Sequence, residues 1–185
     1  MLTGLRYLPE YLAYEAQTEL LHVINAQTWL GDLKRRVQQY GYKYDYKARR
    51  IDLSMKIGAL PTWADAIATR LYEDGIFAEK PDQLIINEYE AGQGIAPHVD
   101  CEPCFNDTIV SISLGSTCVM DFIHTLTKEK ESLLLDIGSA VVLQGESRYD
   151  WQHTIASRKT DKWAGKLYER GIRVSLTFRK VLLLS

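Results

Sequence analysis

Arg173-Val-Ser-Leu-Thr-Phe-Arg179 decides how this chain folds. Val174, Leu176 and Phe178 alternate with Arg173, Ser175, Thr177 and Arg179. Successive side chains of a β-strand point to opposite faces, so a period of two predicts a strand with its apolar face on a core. The other face carries two arginines and two hydroxyls, an odd choice for a core and a useful one for an anion. Six strand steps separate the arginines by about 20 Å. Two long side chains leaning together narrow that gap to something like a short dicarboxylate. An arginine fork grips carboxylates bidentately, which suits the residue type to the task.

Working upstream, the pattern stays β as far as Pro81. Leu84–Glu90, Thr108–Leu114, Cys118–Phe122, Ser132–Ile137, Ala140–Gln144 and His153–Ala156 read as strands, and the last strand extends from Arg173 to Leu184. Gly92, Gly94, Pro97, Gly115, Gly138 and Gly145 punctuate them. Before Pro81 the period changes. Glu15–Gln39 predicts one helix, with Leu20, Leu21, Ile24, Trp29 and Leu33 on a face. Leu60–Gly75 predicts a second, with Pro61 in its first turn, Ile67, Leu71 and Tyr72 on a face, and Gly75 at its stop. Helices followed by seven or so strands imply an α+β fold whose core is a β-sandwich or jelly roll, with helices packed on one sheet. The open mouth of such a barrel is a natural ligand site.

Composition limits the alternatives. The 185 residues are 46% hydrophobic and 25% charged, which excludes collagen-like, disordered and disulfide-scaffold chains. A domain of this size buries roughly 70% of its unfolded surface and needs no staple to fold. No apolar run approaches the roughly 18 residues of a membrane span. Met1–Glu10 has no apolar leader core, and three cysteines suit a reducing compartment. A cytoplasmic monomer, or a nuclear one in a eukaryote, is expected. Net charge is −2 with a pI near 6.1, which permits nucleic acid without indicating it. The basic clusters Lys34-Arg35-Arg36, Lys47 with Arg49 and Arg50, and Arg158-Lys159 read as solvated surface.

Chemistry concentrates around the histidines, of which there are four: His22, His98, His124 and His153. In His98-Val99-Asp100 the imidazole and carboxylate share a face if the segment is extended. His153 lies several strands downstream, where a barrel can return it to the same mouth. Two histidines and one carboxylate form a facial triad that leaves open positions on non-haem iron(II). Asn87 and Tyr89 make a second same-face polar pair before the glycine-rich loop that leads to His98. His22 and His124 read as exposed or structural.

Taken together, these segments are similar to the AlkB family of Fe(II)/2-oxoglutarate dioxygenases. The resemblance is carried by Asn87-Glu-Tyr-Glu-Ala-Gly-Gln-Gly-Ile-Ala-Pro-His98, by Ser113-Leu-Gly-Ser116 with Met120-Asp-Phe122, by Gly145-Glu-Ser-Arg-Tyr-Asp-Trp-Gln-His153 and by Arg170-Gly-Ile-Arg-Val-Ser-Leu-Thr-Phe-Arg-Lys180. Gly4-Leu-Arg-Tyr-Leu-Pro-Glu-Tyr-Leu12 resembles the family's usual opening. The resemblance implies a double-stranded β-helix in one domain, residues 1–185, with helices and a nucleotide-recognition lid in 1–80 and the jelly-roll core in 81–185. It implies Fe(II) on His98, Asp100 and His153, with 2-oxoglutarate and O2 as cosubstrates. Arg173 would hold the distal carboxylate of 2-oxoglutarate. Asn87, Tyr89 and Arg179 would complete that site, and Ser175 stands where many relatives have Asn. The implied reaction is oxidative demethylation of an N-alkylated base in single-stranded DNA or RNA, as in alkylation repair.

Substrate residues follow from the same resemblance. Glu102, two beyond Asp100, occupies a position where repair enzymes contact the base, and a carboxylate there suits a cationic lesion. Tyr40, Tyr42, Tyr44 and Tyr46 fall where the family has its lid, and alternation puts Tyr42, Tyr44 and Tyr46 on one face, available for stacking on a base. Against demethylation, the segments ending at His153 and Lys180 look most like the branch that hydroxylates wobble uridine in tRNA. That branch usually adds an RNA-binding module and a methyltransferase, neither of which the chain contains. A small-molecule substrate is the other alternative. Trp151 reads as a core aromatic. Cys101 and Cys104 form Cys-x-x-Cys, but with only Cys118 as a third cysteine a four-ligand zinc site is not expected.

Overall fold

The computed structural model describes residues 2–31, 35–45 and 48–183. Its elements in chain order are β1 (Leu5–Leu8), α1 (Tyr14–Asn25), β2 (Val37–Tyr40), α2 (Thr62–Glu73), β3 (Gln83–Tyr89), β4 (Ile95–His98), β5 (Phe105–Leu114), β6 (Cys118–His124), β7 (Lys130–Leu135), β8 (Ala140–Leu143), the short α3 (Glu146–Tyr149), β9 (Trp151–Ile155), β10 (Thr160–Trp163), β11 (Lys166–Glu169) and β12 (Arg173–Val181). A six-stranded sheet runs β1-β8-β5-β12-β3-β2, and a four-stranded sheet runs β4-β9-β6-β7. All the pairings are antiparallel. Two such sheets with helices on one of them are the α+β jelly roll that the sequence implies.

Alternation along the strands divides the interior into two cores. Val174, Leu176 and Phe178 of β12 pack with Leu84 and Ile86 of β3, Val110, Ile112 and Leu114 of β5, and Ala140 and Val142 of β8. The helices cover this face: Ala64, Ala68 and Leu71 of α2 and Leu20 and Ile24 of α1 join the same cluster. Each large apolar side chain buried here contributes about 1.5–3 kcal/mol. The opposite face looks into the barrel, where Ile109, Met120, Phe122, Val141, Leu143, Trp151 and Ile155 form a second cluster. The odd-numbered polar residues of β12 therefore enter the barrel, opposite the helices.

Several elements differ from the sequence expectation. The first helix ends at Asn25, not Gln39, and Val37–Tyr40 is a strand paired with β3. Trp29 still packs on the helix-side core, beyond the end of α1; Leu33 lies outside the described residues. Tyr72 is 48% exposed, because α2 buries the small residues Ala64 and Ala68 above Leu71 and thereby approaches the sheet closely. Residues 1–80 also supply two strands of the main sheet, so the helices and the core interleave. Cys101 and Cys104 form a disulfide, although three cysteines suit a reducing compartment better than a disulfide framework; Cys118 is free and buried. The spacing of three brings the two Cα atoms to 5.3 Å, inside the range a disulfide spans. No helix among the described residues is long and apolar enough to cross a membrane.

A buried ion cluster ties the β10–β11 hairpin to the four-stranded sheet. Asp161 is fully buried; it accepts from Nε and Nη2 of Arg170 (2.5 and 2.8 Å), from Nε of Arg158 (2.6 Å) and from the Val119 amide (3.0 Å). Burial opposes the ionised form, but these donors prevail and hold the Asp161 carboxyl below its ordinary range. Replacing Asp161 with Asn strips the charge partner from buried Arg170, and a loss of about 3 kcal/mol in unfolding free energy is expected by urea denaturation. A loss under about 0.5 kcal/mol, the size of an ordinary surface substitution, would show that the cluster does not hold the hairpin.

Candidate active site

Strand pairing brings the metal-ligand residues together. His98 ends β4 and is paired directly with His153 of β9, and the two imidazole centroids lie 4.2 Å apart. Gly94 permits this approach, since a Cβ there would lie 2.1 Å from the Ile155 carbonyl oxygen. Asp100 follows two residues after His98, and its Oδ1 is 3.9 Å from His98 Nε2. One ligand atom from each of His98, Asp100 and His153 lies within 4.8 Å of the others.

Electrostatics suit this group to a cation. The His98 Nδ1–H donates to the Ala96 carbonyl (2.8 Å), which leaves Nε2 with its lone pair facing Asp100. Burial and the neighbouring His98 push the His153 imidazole down to about 3, so it stays neutral and able to ligate. Burial raises the Asp100 carboxyl, but Arg179 and the two imidazoles outweigh it and hold Asp100 well below the usual carboxylate range. Two imidazoles and one ionised carboxylate match the donor set of non-haem iron.

Behind the triad, β12 supplies the polar lining. Arg173, Ser175, Thr177 and Arg179 line a cavity with Asn87 and Tyr89 of β3, and His98 and His153 close its other end. Arg173 sits directly opposite Tyr89 across the β12–β3 ladder, with its guanidinium 5.7 Å from the ring centre. It donates from Nη2 to Ser113 Oγ (2.8 Å), while its buried Nε has no partner among the described residues. A guanidinium only 3% exposed with an unused donor and no carboxylate beside it fits an incoming carboxylate. Ser175 Oγ and Ser111 Oγ are 2.9 Å apart on the same inner face. Arg179 is already engaged: Nε and Nη2 straddle Asp100 at 3.1 and 3.3 Å, and Nη1 donates to Gln83 Oε1 (3.3 Å). It borders the cavity, yet its fork serves the metal-site carboxylate.

A second cavity, of about 250 Å³, opens in front of the triad. Tyr44 lines it, packed at 5.7 Å on Phe105. The other lid tyrosines do not share that placement. Tyr42 is 6% exposed and lies within the barrel-side core, and Tyr40 packs edge-on against Trp63. Irregular backbone after β2 breaks the expected alternation; Tyr46 lies outside the described residues. Glu102 is exposed and lines neither cavity, because the tight turn between Cys101 and Cys104 carries it outward.

Sequence reasoning missed three arginines. Arg148 of α3 is 2% exposed and donates to the carbonyls of Asp100 (3.0 Å) and Cys101 (3.3 Å), which fixes the ligand loop. Arg35 and Arg49, expected on the solvated surface, line the second cavity. Charge clusters alone carry no sign of this; only the lid's position reveals it.

The match to the model of the 2OG-Fe(II) oxygenase superfamily spans residues 4–179. The chain belongs to this superfamily, and within it to the AlkB family. It is 36% identical to "Alkylated DNA repair protein ALKBH8 homolog" of Arabidopsis thaliana over 96% of its own length and 58% of that protein. It is 37% identical to mouse "tRNA (carboxymethyluridine(34)-5-O)-methyltransferase ALKBH8" over 96% of its length and 30% of that protein. It therefore spans little more than half of the one relative and under a third of the other. The solved structure of OsALKBH1 superposes with a TM-score of 0.68 at 18% identity, covering 96% of both chains. Members of the superfamily use Fe(II), 2-oxoglutarate and O2, and the His98, Asp100 and His153 group suits that iron. His153→Ala is expected to weaken Co(II) or Fe(II) binding, measured by titration of the metal-free protein, by at least about 10-fold. Unchanged affinity would remove His153 from the metal site.

Proposed function

We propose that this AlkB-family oxygenase oxidises an alkyl group on a nucleobase of single-stranded or looped DNA or RNA. The observation that carries the reading is the cavity in front of the triad, where Tyr44 on Phe105 offers a stacking surface and Arg35 and Arg49 supply cations. Aromatic faces take unpaired bases and nearby guanidiniums meet anions, the combination used for single strands. With a net charge of −2, the protein has little basic surface with which to open a duplex.

Iron bound with 2-oxoglutarate and O2 supplies the oxidising power: one oxygen atom enters a substrate C–H bond as 2-oxoglutarate becomes succinate and CO2. The protein's part is to bind, orient and exclude water. Arg173 holds the far carboxylate of 2-oxoglutarate through its fork, Tyr89 walls the slot, and Asn87 and Ser175 lie beside it on neighbouring strands. Arg179 keeps Asp100 ionised and fixed, and Arg148 holds the Asp100 backbone. On an N-methyl group the product is a hydroxymethyl amine, which loses formaldehyde and restores N–H. That outcome is oxidative demethylation.

A second reading is hydroxylation of a wobble-uridine side chain in tRNA. The mouse relative's name, which concerns uridine 34 of tRNA, favours it, as does the absence of Glu102 from the cavity. Turnover with methylated single-stranded DNA, methylated RNA and tRNA, read by mass spectrometry, separates the two. Formaldehyde release with loss of a methyl group supports demethylation; gain of one oxygen on a tRNA uridine supports hydroxylation. No oxidised nucleic acid, with small molecules still turned over, would overturn both. In the same assay Arg173→Ala is expected to raise the 2-oxoglutarate requirement by more than about 10-fold, and Arg173→Lys to recover part of it, since a point charge does not replace the fork. Unchanged dependence in both variants would remove Arg173 from the cosubstrate site.

A further inference from the structure

The charges lining the second cavity are Arg35, Arg49, Arg179 and Asp100. Asp100 and Arg179 neutralise each other through two contacts of 3.1 and 3.3 Å. Arg35 and Arg49 remain. Arg35 donates from Nε to Asn87 Oδ1 (2.8 Å) and lies 5.6 Å from the Tyr89 ring centre. Arg49 donates from Nη2 to the Val99 carbonyl (3.2 Å). Both partners are neutral, and among the described residues neither guanidinium has a carboxylate within ion-pair distance.

Acidic side chains nearby are committed elsewhere. Glu88 takes both donors of Arg36 at 2.6 and 2.8 Å. Asp45 accepts the Ala48 amide (2.9 Å) within the lid hairpin, and Glu102 is exposed outside the cavity. Arg49 is also held in place by its backbone. It adopts a left-handed conformation, φ 49°, and its carbonyl oxygen lies 3.1 and 3.4 Å from the sulfur atoms of Cys101 and Cys104. A non-glycine residue in that region is uncommon and persists where surrounding structure holds it. The lid tip therefore stands on the loop that follows Asp100, with its guanidinium on the cavity wall.

We infer that Arg35 and Arg49 make this cavity select an uncharged or anionic alkylated base and reject a cationic one; the inference rests on the nucleobase reading above. Adenine methylated at N1, or cytosine methylated at N3, carries a positive charge. Uracil methylated at N3 stays neutral, and a carboxyalkyl-substituted uracil is an anion. Two guanidiniums that have no carboxylate partner among the described residues repel the first kind and attract the last, a repulsive element against the wrong base beside an attractive one for the right base.

Two nucleosides of nearly the same shape test this: 3-methyluridine, neutral, and 3-methylcytidine, cationic. Binding to the enzyme loaded with Fe(II) and 2-oxoglutarate without O2 is expected to favour 3-methyluridine by at least about 10-fold, equivalent to about 1.4 kcal/mol. A 5-carboxymethyluridine nucleoside is expected to bind more tightly than its methyl ester. Arg49→Gln and Arg35→Gln should each reduce both preferences, and Arg49→Glu should reverse the first. Because Arg35 touches Asn87, 2-oxoglutarate affinity is measured alongside; Arg49→Gln leaves that contact intact. Equal or tighter binding of 3-methylcytidine by the unmodified enzyme overturns the inference and leaves the nucleobase reading standing. A gain from both arginines seen only with uridine 5′-monophosphate, not with the carboxymethyl base, assigns them to backbone phosphate and also overturns it. Failure of every nucleoside and of the matching oligonucleotides to bind overturns the nucleobase reading itself, and the inference with it.

Discussion

Asp100 is 8% exposed, and an ionised carboxylate so placed is costly unless a cation and hydrogen bonds compensate it. Arg179 supplies both through a two-point contact, and it is itself braced by Gln83 on the neighbouring strand. That pair sets the position of β12 relative to the loop after β4. It also places Arg173 six residues away on the same inner face, at the far end of the slot. Arg173, with an unpartnered Nε, and Arg179, paired with Asp100, thus ride on one strand, flanked by β5 and β3. Sites built on strands hold their geometry more tightly than sites built on loops, and here the central strand of the larger sheet sets the separation between Arg173 and the His98, Asp100 and His153 group.

The two sheets divide the labour. The six-stranded sheet, packed on its outer face by α1 and α2, contributes the arginines and hydroxyls that line the inner cavity. The four-stranded sheet contributes His98 and His153 as direct cross-strand partners. The metal donors therefore meet across the barrel mouth, with Asp100 on the loop between the sheets. Arg148 closes that loop from behind by holding two successive carbonyls, a role that needs several donors on one side chain. The segment after β2 rests on the same loop through Arg49, so the second cavity and the His98, Asp100 and His153 group share a wall.

The strict alternation of Arg173–Arg179 was enough to specify a strand with an apolar outer face and a polar inner one, and the same period located β3, β5 and β8. Local spacing put His98 with Asp100 and Arg173 with Arg179 on shared faces, while the place of distant His153 beside them came from the family resemblance. What lay beyond the pattern were the ends of α1 and the path of the lid. Residues 26–36 are helix-compatible in sequence, yet Val37–Tyr40 gains a ladder with β3 that an isolated helix cannot offer. Tyr42 and Tyr44 alternate in sequence, but one is core and the other cavity wall, since no regular strand runs from Gly41 to Tyr44.

By itself, then, the sequence determined the layered α+β jelly roll and the inner face on which Arg173 and Arg179 lie, and the resemblance carried by its motifs implied His98, Asp100 and His153 as metal donors. The strands and the pairing of His98 with Asp100 follow from periods of two, and the helices from a period near 3.6. Only the tertiary structure decided that Arg179 spends its fork on Asp100, that Glu102 faces solvent and that Arg35 and Arg49 stand in the cavity. Those are contacts between residues 50 or more apart in the chain, or consequences of a single tight turn. Side-chain periodicity fixes direction relative to a residue's own strand, whereas charge balance in a cavity depends on which distant segments fold over it.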